Sequence, residues 1–468
     1  MPLAAQEVDY STIHEFPVYS DEILNYSFIG DKGLKEINKD FGFKPYFFAN
    51  EHDWGDIVNG AFDENGVTIR RTDSIYFPTT IIRTALTSYY KYDETGLEKA
   101  KEIFLIQMNW LKNNFHKINN DYGFWVFSNR SESYDLNPGW VSAMSQGMGV
   151  GACLMAYNLT RDEEYLKIID LALKAFYVPV ENGGFKQDFN NGLWFEEYPT
   201  KVPSYTLNGF IFSIAGLYNF YENTGSKKAK ELFDNASHTL SENLESFLGS
   251  FTSYYSHKNP YYYTKDNYHK IHIIQLAWLY TVTNDNKFYD YAKKFLELHV
   301  NQVNLSGNLK FKKISSITSN NCINCEEYGP NNLFDDRWSW GKFWSSYKNP
   351  ELVIKLEEDK IIKSIILYGI NMNSILFDIE IYDYDSNLIQ KNKATATLGN
   401  IDYITTGGYE TYIRKIELKN PIKSSYLRLN FSGTNRKNVL ALRELQLEVS
   451  MDSEMDEIIN WIENRISK

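Results

Sequence analysis

Cysteine is scarce in this sequence, which has three cysteines in 468 residues. Cys153 stands alone inside an apolar helical pattern, and Cys322 and Cys325 form a single C-x-x-C. So few thiols exclude a disulfide-rich scaffold. The C-x-x-C motif fits half of a zinc site, a redox pair or a local disulfide, but no second Cys or His pair follows at zinc-finger spacing. We therefore expect a loop with two incidental thiols.

Long apolar runs and an excess of positive charge are also missing. No stretch reaches the roughly 18 apolar residues that span a bilayer, and Met1–Tyr10 has neither the basic nor the apolar region of a signal peptide. The 60 acidic residues outnumber the 48 basic ones, which gives a net charge of −12 and argues against a nucleic-acid partner. The sequence predicts a soluble chain without a membrane span, and it leaves the compartment open between the cytoplasm and the cell envelope.

Aromatic residues, by contrast, are abundant. The 35 Tyr, 29 Phe and 10 Trp make up 16% of the chain. Most of these rings belong in a core, but flat rings also stack on the apolar faces of sugars. A carbohydrate ligand is therefore one expectation, and an anionic one would need a local basic cluster.

Helical periodicity dominates residues 76–303, where apolar residues recur at helical spacing. Short polar links such as Asp93–Gly96 and Asn284–Asn286 join the helices in pairs, as in antiparallel hairpins. Four such hairpins predict an (α/α) toroid, or an incomplete barrel, whose longer loops line one mouth. The predicted helices share this periodicity and span 78–92, 94–116, 139–159, 162–176, 204–223, 226–247, 268–284 and 286–300.

The flanking segments differ from this helical region. Residues 1–75 predict an irregular lead-in with short strands such as Tyr46–Phe48. Residues 304–452 carry short alternating runs that predict a β-sandwich of the jelly-roll kind, and residues 453–468 predict a short amphipathic helix. The fold class is thus multidomain, mainly α and then β. The predicted strands of the sandwich include Glu351–Leu356, Ile361–Tyr368, Ile375–Tyr384, Tyr412–Leu418 and Ser425–Phe431.

Two adjacent carboxylates form the densest candidate site. Glu196 and Glu197 stand between aromatic residues, with Trp194 before them and Tyr198 after them. In a cleft, aromatic walls would raise a carboxyl pKa by desolvation and create an acid or base. The alternative is an acidic loop with a stacked aromatic cluster.

Two further segments carry candidate residues. His269 and His272, three apart before a helix, could share a metal or simply bond at the helix start, and the nearby Lys258 and Lys270 supply local positive charge. That charge favours an anionic substrate. The segment Gly139–Gly149 is crowded with small residues, which let another backbone or a sugar approach closely.

Together these segments resemble the C-terminal domain of the D-glucuronyl C5-epimerase family, whose members convert D-glucuronate into L-iduronate within a heparosan-like chain. The resemblance covers about residues 60 to 300 and implies an (α/α) toroid and proton transfer at C5. The segments that carry it, in chain order, are Tyr76–Thr80, Gly139–Gly147, Glu196–Thr200, Ser204–Phe210, Gly216–Tyr218 and Asn267–Leu276.

Carried over residue by residue, the resemblance implies that Glu197, Tyr198, Tyr255 and Tyr268 are catalytic. The arginine that the family has after the tyrosine at 255 is missing here, and His257 or Lys258 would replace it. Removal of a proton beside a carboxylate builds a second negative charge, so that carboxylate must first be held by cationic or hydrogen-bonding groups. The residues that we expect to contact the substrate are Tyr76, Gln146, Trp194, Glu196, Asn208, His257, Lys258, His269, Lys270 and His272.

Inversion at C5 requires proton removal on one face and delivery on the other. We take Glu197 and Tyr268 as the opposed acid/base pair, with Tyr198 and Tyr255 orienting the ring or polarising the carboxylate. A phenol acting as a base would need positive charge nearby, from His269 or Lys270. This chemistry requires no redox cofactor and no metal, its substrate is an anionic polysaccharide or oligosaccharide, and the resemblance also implies a homodimer.

The segments Asn332–Trp340, Ser425–Asn430 and Leu442–Leu445 resemble a discoidin (F5/8 type C) module. That resemblance implies either glycan binding or interdomain packing, with a structural calcium ion as a further expectation. Two other functions remain open for the whole chain. One is a polysaccharide lyase or uronyl hydrolase on the same toroid, and the other is a non-catalytic glycan-binding protein.

Overall fold

The computed structural model describes most of the chain beyond residue 56, and the expected strand Tyr46–Phe48 lies outside the described residues. Within them, no helix is both long and apolar enough to cross a bilayer. The described residues are 57, 59–258, 266–299, 301–306, 309–335, 342–347, 349–370, 376–393, 401–406, 409–432 and 439–466.

All eight helices predicted from the periodicity are present, and their ends differ from the predicted ones by at most four residues. The links between paired helices end one helix and begin the next. Gly96 and Gly225 close two helices in the left-handed conformation, while Ser226 and Asp285 cap the following helices through their side chains. The helices are α1 (Pro78–Thr95), α2 (Glu98–Asn113), α3 (Ala143–Thr160), α4 (Glu164–Lys174), α5 (Leu207–Thr224), α6 (Lys227–Asn243), α7 (Asp266–Thr283) and α8 (Asn286–Leu298).

The odd-numbered helices pack against one another in series, α1 on α3, α3 on α5 and α5 on α7, and each even-numbered helix packs on the one before it. The closest approach is between α3 and α5. A Cβ atom at Gly147 would lie 2.2 Å from the Ser213 carbonyl oxygen, and one at Gly216 would lie 2.1 Å from the Gly147 carbonyl oxygen. The small residues of α3 therefore allow the backbone of α5 to approach closely.

Two short hairpins lie between helices of this region: β1 (Phe115–Ile118) pairs with β2 (Tyr122–Trp125), and β3 (Lys186–Phe189) pairs with β4 (Gly192–Phe195). Both bring aromatic residues into the core, since Phe124, Trp125 and Trp194 are almost completely buried.

Antiparallel strands follow the helices. The segment also contains a short helix, α9 (Cys325–Tyr328), and the chain ends in α10 (Asp452–Ile466). The strands are β5 (Gln302–Ser306), β6 (Leu309–Lys312), β7 (Ser316–Ser319), β8 (Trp344–Tyr347), β9 (Glu351–Gly369), β10 (Asp378–Tyr382), β11 (Leu388–Asn392), β12 (Ile401–Thr406), β13 (Tyr409–Ser432) and β14 (Val439–Val449).

Eight of the described strands form one sheet in the order β11-β10-β13-β9-β14-β8, with β7 on β9 and β12 on β13. The long strands β9 and β13 pair with each other, and bulges between Glu417 and Ile422 and between Ser424 and Tyr426 shift their register. Bulges bend strands and increase their twist. Each end of β9 consequently has a different outer neighbour, β7 at its beginning and β14 at its end.

The end of β9 is buried on both faces, which explains why its residues 364–369 are all buried instead of alternating. Ile365 and Leu367 face the main core, while Ile366 and Tyr368 join a second cluster that contains Phe251 from the helical region. The sheet thus packs directly against the helices.

Polar contacts reinforce this packing. The buried Lys313 ammonium donates to the carbonyl oxygens of Glu297 and His299 at the end of α8, and the Asn301 amide donates to Glu444 Oε1 at 2.6 Å. The C-terminal helix α10 follows the sheet but returns to pack on α7 and α8. Lys293 on α8 pairs there with Asp452.

The two cysteines of the C-x-x-C motif are joined in a disulfide, with their Cα atoms 5.3 Å apart. The expectation of two incidental thiols is therefore wrong. The three-residue separation at the start of α9 brings the thiols within bonding distance, which the spacing alone left open.

Candidate active site

The two adjacent glutamates follow strand β4 and are fixed by their backbone. The Glu196 amide donates to the Phe185 carbonyl oxygen at 2.8 Å, and the Glu196 carbonyl oxygen accepts from the Ala143 amide at 3.0 Å. Ala143 begins α3. The glutamates are therefore held between a hairpin and the first turn of a central helix.

The Glu196 carboxylate is bonded within the fold. It accepts from the Ser204 hydroxyl at 2.6 Å and from the Tyr205 amide at 3.1 Å. Tyr205 has a φ of 45°, a left-handed conformation that this carboxylate stabilises. Burial raises the pKa of Glu196 to about 7, although the bonds from Ser204 and Tyr205 lower it. We expected Glu196 to contact the substrate, and the structure instead commits its oxygens to the segment that begins α5.

Glu197 is also buried and is poorly solvated. Its side chain is 7% exposed and lies against Gly209 on α5, where an added Cβ would be 2.1 Å from Oε2. Within the described part of the chain, Oε2 has no hydrogen-bond partner. Burial raises the pKa of Glu197 to about 7, and the charge of Glu196 adds to the rise, while donation from the Tyr198 and Tyr255 hydroxyls opposes it. A carboxyl group of this kind changes protonation state near neutral pH.

Two tyrosines contact this carboxyl group and two more pack on them, and we call the four the phenol cluster: Tyr134, Tyr198, Tyr255 and Tyr268. Tyr198 stacks on Tyr134 with ring centroids 3.7 Å apart, and Tyr255 meets Tyr268 edge-on at 5.0 Å. Tyr255 is 7% exposed and Tyr268 is 38% exposed. The cluster therefore leads from the buried Glu197 to the protein surface.

The inner phenols of the cluster are proton donors. Burial raises the pKa of both Tyr198 and Tyr255 well above 10, and the nearby Glu197 raises both further. Both hydroxyls stay protonated at neutral pH, so they suit hydrogen bonding to a substrate oxygen rather than proton abstraction.

Tyr255 is held by backbone bonds to the segment that precedes α5. Its carbonyl oxygen accepts from the Leu207 amide at 3.1 Å, and the His257 amide donates to the Ser204 carbonyl oxygen at 2.8 Å. Behind it, the Ser253 hydroxyl contacts Nδ1 of His269 and Nδ1 of His272, each at 2.8 Å. The loop that carries Tyr255 is thus bonded to the start of α5 and to α7.

Sequence reasoning missed two residues at this site. Tyr134 comes from a short 3-10 turn, and Lys258 lies over its ring at 4.5 Å. Arg83 lies on α1, half-buried, and its guanidinium interacts electrostatically with Tyr268. Burial lowers the pKa of Arg83, and the Tyr268 phenol raises it. A lone charged residue in the mostly apolar stretch Ile81–Leu86 is the signal that could have identified it.

Four of the expected substrate contacts lie away from the phenol cluster or have buried side chains. Trp194 is fully buried and stacks on Phe210 at 3.7 Å. The Gln146 amide donates to backbone carbonyl oxygens of Gly123 and Ala172. Asn208 is buried on α5, and the Tyr76 hydroxyl donates to Asp63 at 2.7 Å, beside Trp110.

The expected basic groups are also engaged elsewhere. The His269 ring is buried, contacts the Phe295 carbonyl oxygen at 2.9 Å through Nε2 and stacks on His299. His272 is fully buried, and burial lowers its pKa to about 3. The described residues include no group of three His, Cys, Asp or Glu side chains that could hold a metal ion.

The remaining basic candidates are His257, Lys258 and Lys270, and of these Lys258 lies on the phenol cluster, over Tyr134. His257 stacks on Phe247 and contacts the Ser246 carbonyl oxygen at 3.1 Å. Lys258 is exposed and donates to the Ser133 carbonyl oxygen, while Lys270 is half-buried on α7 two residues beyond Tyr268.

These contacts group a buried carboxyl group, two protonated phenols and, next to Tyr268, a guanidinium into one candidate site. Such a site supplies a base that titrates near neutrality, hydrogen-bond donors for oxygens and a positive charge for an anion. It therefore suits proton transfer on an oxygen-rich, negatively charged molecule.

Comparison with known proteins identifies the same region. Residues 118–297 match the family model described as D-glucuronyl C5-epimerase C-terminus. The resemblance inferred from the sequence is thereby confirmed for this part of the chain, which carries Glu196, Glu197 and the four tyrosines of the phenol cluster.

Two curated relatives agree with this match. A D-glucuronyl C5-epimerase of Caenorhabditis elegans is 31% identical over 209 residues, which cover 40% of this chain and 33% of that protein. An uncharacterized protein of Methanocaldococcus jannaschii is 32% identical over 177 residues, which cover 37% of this chain and 57% of that protein. The chain thus spans between a third and somewhat more than half of the length of these relatives.

Solved structures similar to part of the chain are carbohydrate-binding modules and lectin domains. A pectin-binding carbohydrate-binding module has 15% identity and a TM-score of 0.22, covering 30% of this chain and 94% of that one. The lectin domain of lectinolysin, complexed with Lewis B antigen, has 10% identity and a TM-score of 0.22, covering 28% of this chain and 90% of that one.

Proposed function

We propose that this protein is a C5-epimerase that converts D-glucuronate to L-iduronate residues within a heparosan-like polysaccharide or oligosaccharide. The observation that carries the proposal is the buried Glu197, whose carboxyl group titrates near pH 7 and is contacted by the Tyr198 and Tyr255 phenols. The family match over residues 118–297 supports the same reaction.

In this proposal Glu197 and Tyr268 act on opposite faces of the sugar. Ionised Glu197 takes the hydrogen from C5 as a proton, and the electron pair passes into the adjacent carboxylate. The Tyr268 hydroxyl then donates a proton to the other face of C5, which leaves a protonated Glu197 and a phenolate. Proton exchange with water restores both groups. The protonated Tyr198 and Tyr255 hydroxyls hydrogen-bond to sugar or carboxylate oxygens throughout.

We further infer that the helices form an incomplete (α/α) toroid and that the bent strands form a jelly-roll sandwich. The serial packing of α1, α3, α5 and α7 supports the first inference, as does the electrostatic interaction between Arg83 on α1 and Tyr268 on α7. Helices α1 and α7, at the two ends of the series, would then face each other across the candidate site.

Isotope exchange tests the proposed reaction. Incubation with heparosan in heavy water is expected to place deuterium at C5 of the uronate residues. Glu197→Gln and Tyr268→Phe should each reduce the rate of exchange by about 100-fold or more, the usual contribution of a general acid or base. Tyr280→Phe, which removes a phenol from the same helix at a position outside the cluster, should leave the rate unchanged.

The outcomes separate the alternatives. Absence of exchange with any uronate polymer would count against the proposed function. Growth of ultraviolet absorbance from an unsaturated uronate would instead indicate a lyase, which shares proton abstraction at C5 but then eliminates. Binding of a glycan without turnover by the wild type and both variants would indicate a non-catalytic glycan-binding protein.

A further inference from the structure

We propose that Arg83 binds the carboxylate of the uronate residue and so restricts the candidate site to acidic sugars. This inference rests on the proposed function and names the residue that determines the class of substrate. The family arginine near position 255 is absent from this chain, and Arg83 supplies the positive charge from a different helix, α1.

The position of Arg83 on α1 directs it toward the central helices. The Thr79 and Ser145 hydroxyls are 2.6 Å apart and join the first turn of α1 to α3. Arg83 follows Thr79 by four residues and therefore lies on the same face of the helix, one turn further along. Its neighbours Ile82 and Ala85 are fully buried and Thr84 is almost so, which makes Arg83 the one charged residue in this buried turn of α1.

Within the described part of the chain, the half-buried Arg83 lacks the partners that the buried cations have. Lys313 donates to backbone carbonyl oxygens, and the buried Arg414 donates to the Phe377 carbonyl oxygen at 2.6 Å. Among the described residues, the Arg83 guanidinium has neither a hydrogen bond nor an ion pair. Buried charges are usually paired, because desolvation without compensation is costly. An anion from outside the chain would complete this arrangement.

The chemistry of the substrate requires a cation at this place. The uronate carboxylate is bonded directly to C5, so a group that holds it must lie close to the groups that transfer the C5 proton. Arg83 meets this requirement because it interacts with Tyr268, which contacts Tyr255, which donates to Glu197. A guanidinium can bind a carboxylate through two parallel hydrogen bonds, which also fixes its orientation.

The other basic candidates suit this role less well. His257 Nε2 contacts the Ser246 carbonyl oxygen, and Lys258 donates to the Ser133 carbonyl oxygen. The buried His269 contacts Ser253 through one ring nitrogen and Phe295 through the other.

The test compares the wild type with Arg83→Met, Arg83→Lys and the control Arg71→Gln, which changes an exposed arginine that bonds to the Asn59 carbonyl oxygen. Each protein is assayed for deuterium exchange with a heparosan oligosaccharide and with its methyl ester, in which the carboxyl group is neutral. Esterification makes the C5 hydrogen more acidic, so weaker exchange of the ester by the wild type reports recognition of the carboxylate.

Arg83→Met should lower kcat/KM for the acid by about 100-fold and for the ester by only a few-fold, which abolishes the preference for the acid. Arg83→Lys should recover part of this preference, and Arg71→Gln should match the wild type. Arg83→Met should also melt at an equal or higher temperature, because Arg83 is half-buried and the substitution breaks no hydrogen bond or ion pair among the described residues. An unchanged acid preference in Arg83→Met, or a large fall in its melting temperature, would overturn the proposal.

Calorimetry with the acidic oligosaccharide separates this inference from the proposed function. Should the wild type show no exchange with either substrate, the proposed function fails, but binding by the wild type that Arg83→Met loses would still support a carboxylate site at Arg83. Equal binding by both proteins, or binding by neither, would overturn the site.

Discussion

The buried carboxyl group of Glu197 should reduce the stability of the protein as the pH rises. Its pKa is raised from 4.5 to about 7, so between these values the folded protein retains a proton that the unfolded chain releases. Stabilisation from this proton is complete below pH 4.5 and is lost as the pH rises through 7. At about 1.4 kcal/mol for each pH unit, the loss is about 3 kcal/mol.

Glu197→Gln should remove this dependence, because glutamine has the shape of the protonated acid and does not ionise. We expect the variant to equal the wild type at pH 4 and to exceed its free energy of unfolding by about 3 kcal/mol at pH 8. Urea unfolding of both proteins across this range measures the difference. Glu98→Gln, at an exposed position, provides the control and should follow the wild type at every pH.

The comparison must allow for the neighbouring carboxyl group. Glu196 has a similarly raised pKa and remains in the variant, so Glu197→Gln should flatten only part of the pH dependence of stability. A variant that is less stable than the wild type at pH 8, or that keeps the full pH dependence, would refute the assignment of a buried, poorly solvated carboxyl group to Glu197.

Two further predictions concern the support of the site. Gly209→Ala places a Cβ 2.1 Å from Glu197 Oε2 and should displace the carboxyl group. We expect the free energy of unfolding to fall by about 1 to 3 kcal/mol in urea and the rate of C5 exchange, measured by mass spectrometry, to fall at least tenfold. An unchanged rate would contradict the placement of Glu197. Phe251→Ala should lower the free energy of unfolding by about 3 to 5 kcal/mol, because it removes a ring that packs on Tyr368, and should lower the rate of exchange, because the same loop carries Tyr255. Phe251→Leu should retain most of the stability and most of the exchange rate. Equal behaviour of the two variants would show that the packing is unimportant.

The helices could be predicted from sequence because their signals are local. Apolar spacing and polar links such as Asn284–Asn286 predicted where each helix begins and ends. The strands were harder to delimit. Glu351–Leu356 and Ile361–Tyr368 were predicted as separate strands, but the polar residues between them continue the strand, and the structure has one strand, β9. An irregularity in the pairing with β13, where β9 has the extra residues, accommodates this pattern, and single-strand alternation does not reveal a pairing partner.

At the site, the segments could be predicted but the orientation of their side chains could not. Glu196 and Glu197 are adjacent in sequence with the same chemistry, yet one bonds to Ser204 and the other faces the phenol cluster. Tyr134 and Arg83 come from segments far away in the chain. Only the tertiary packing brings Tyr134 onto Tyr198 and Arg83 close to Tyr268. Such proximity depends on the tertiary structure and produces no regular spacing pattern in the sequence that could reveal it.

The return of α10 to the helical region has a consequence for dissection of the protein. The chain leaves the helices at residue 298, passes through the sheet and comes back to cover α7 and α8. Removal of either the helical region or the sheet with α10 would therefore expose a surface that is buried in the whole protein. Tyr368 and Phe251 extend this dependence to the loop that bears Tyr255. Deletion mutants meant to ask whether the sheet binds glycans would therefore report chiefly on the integrity of the helical half. Point substitutions on the outer strands are the sounder way to ask that question.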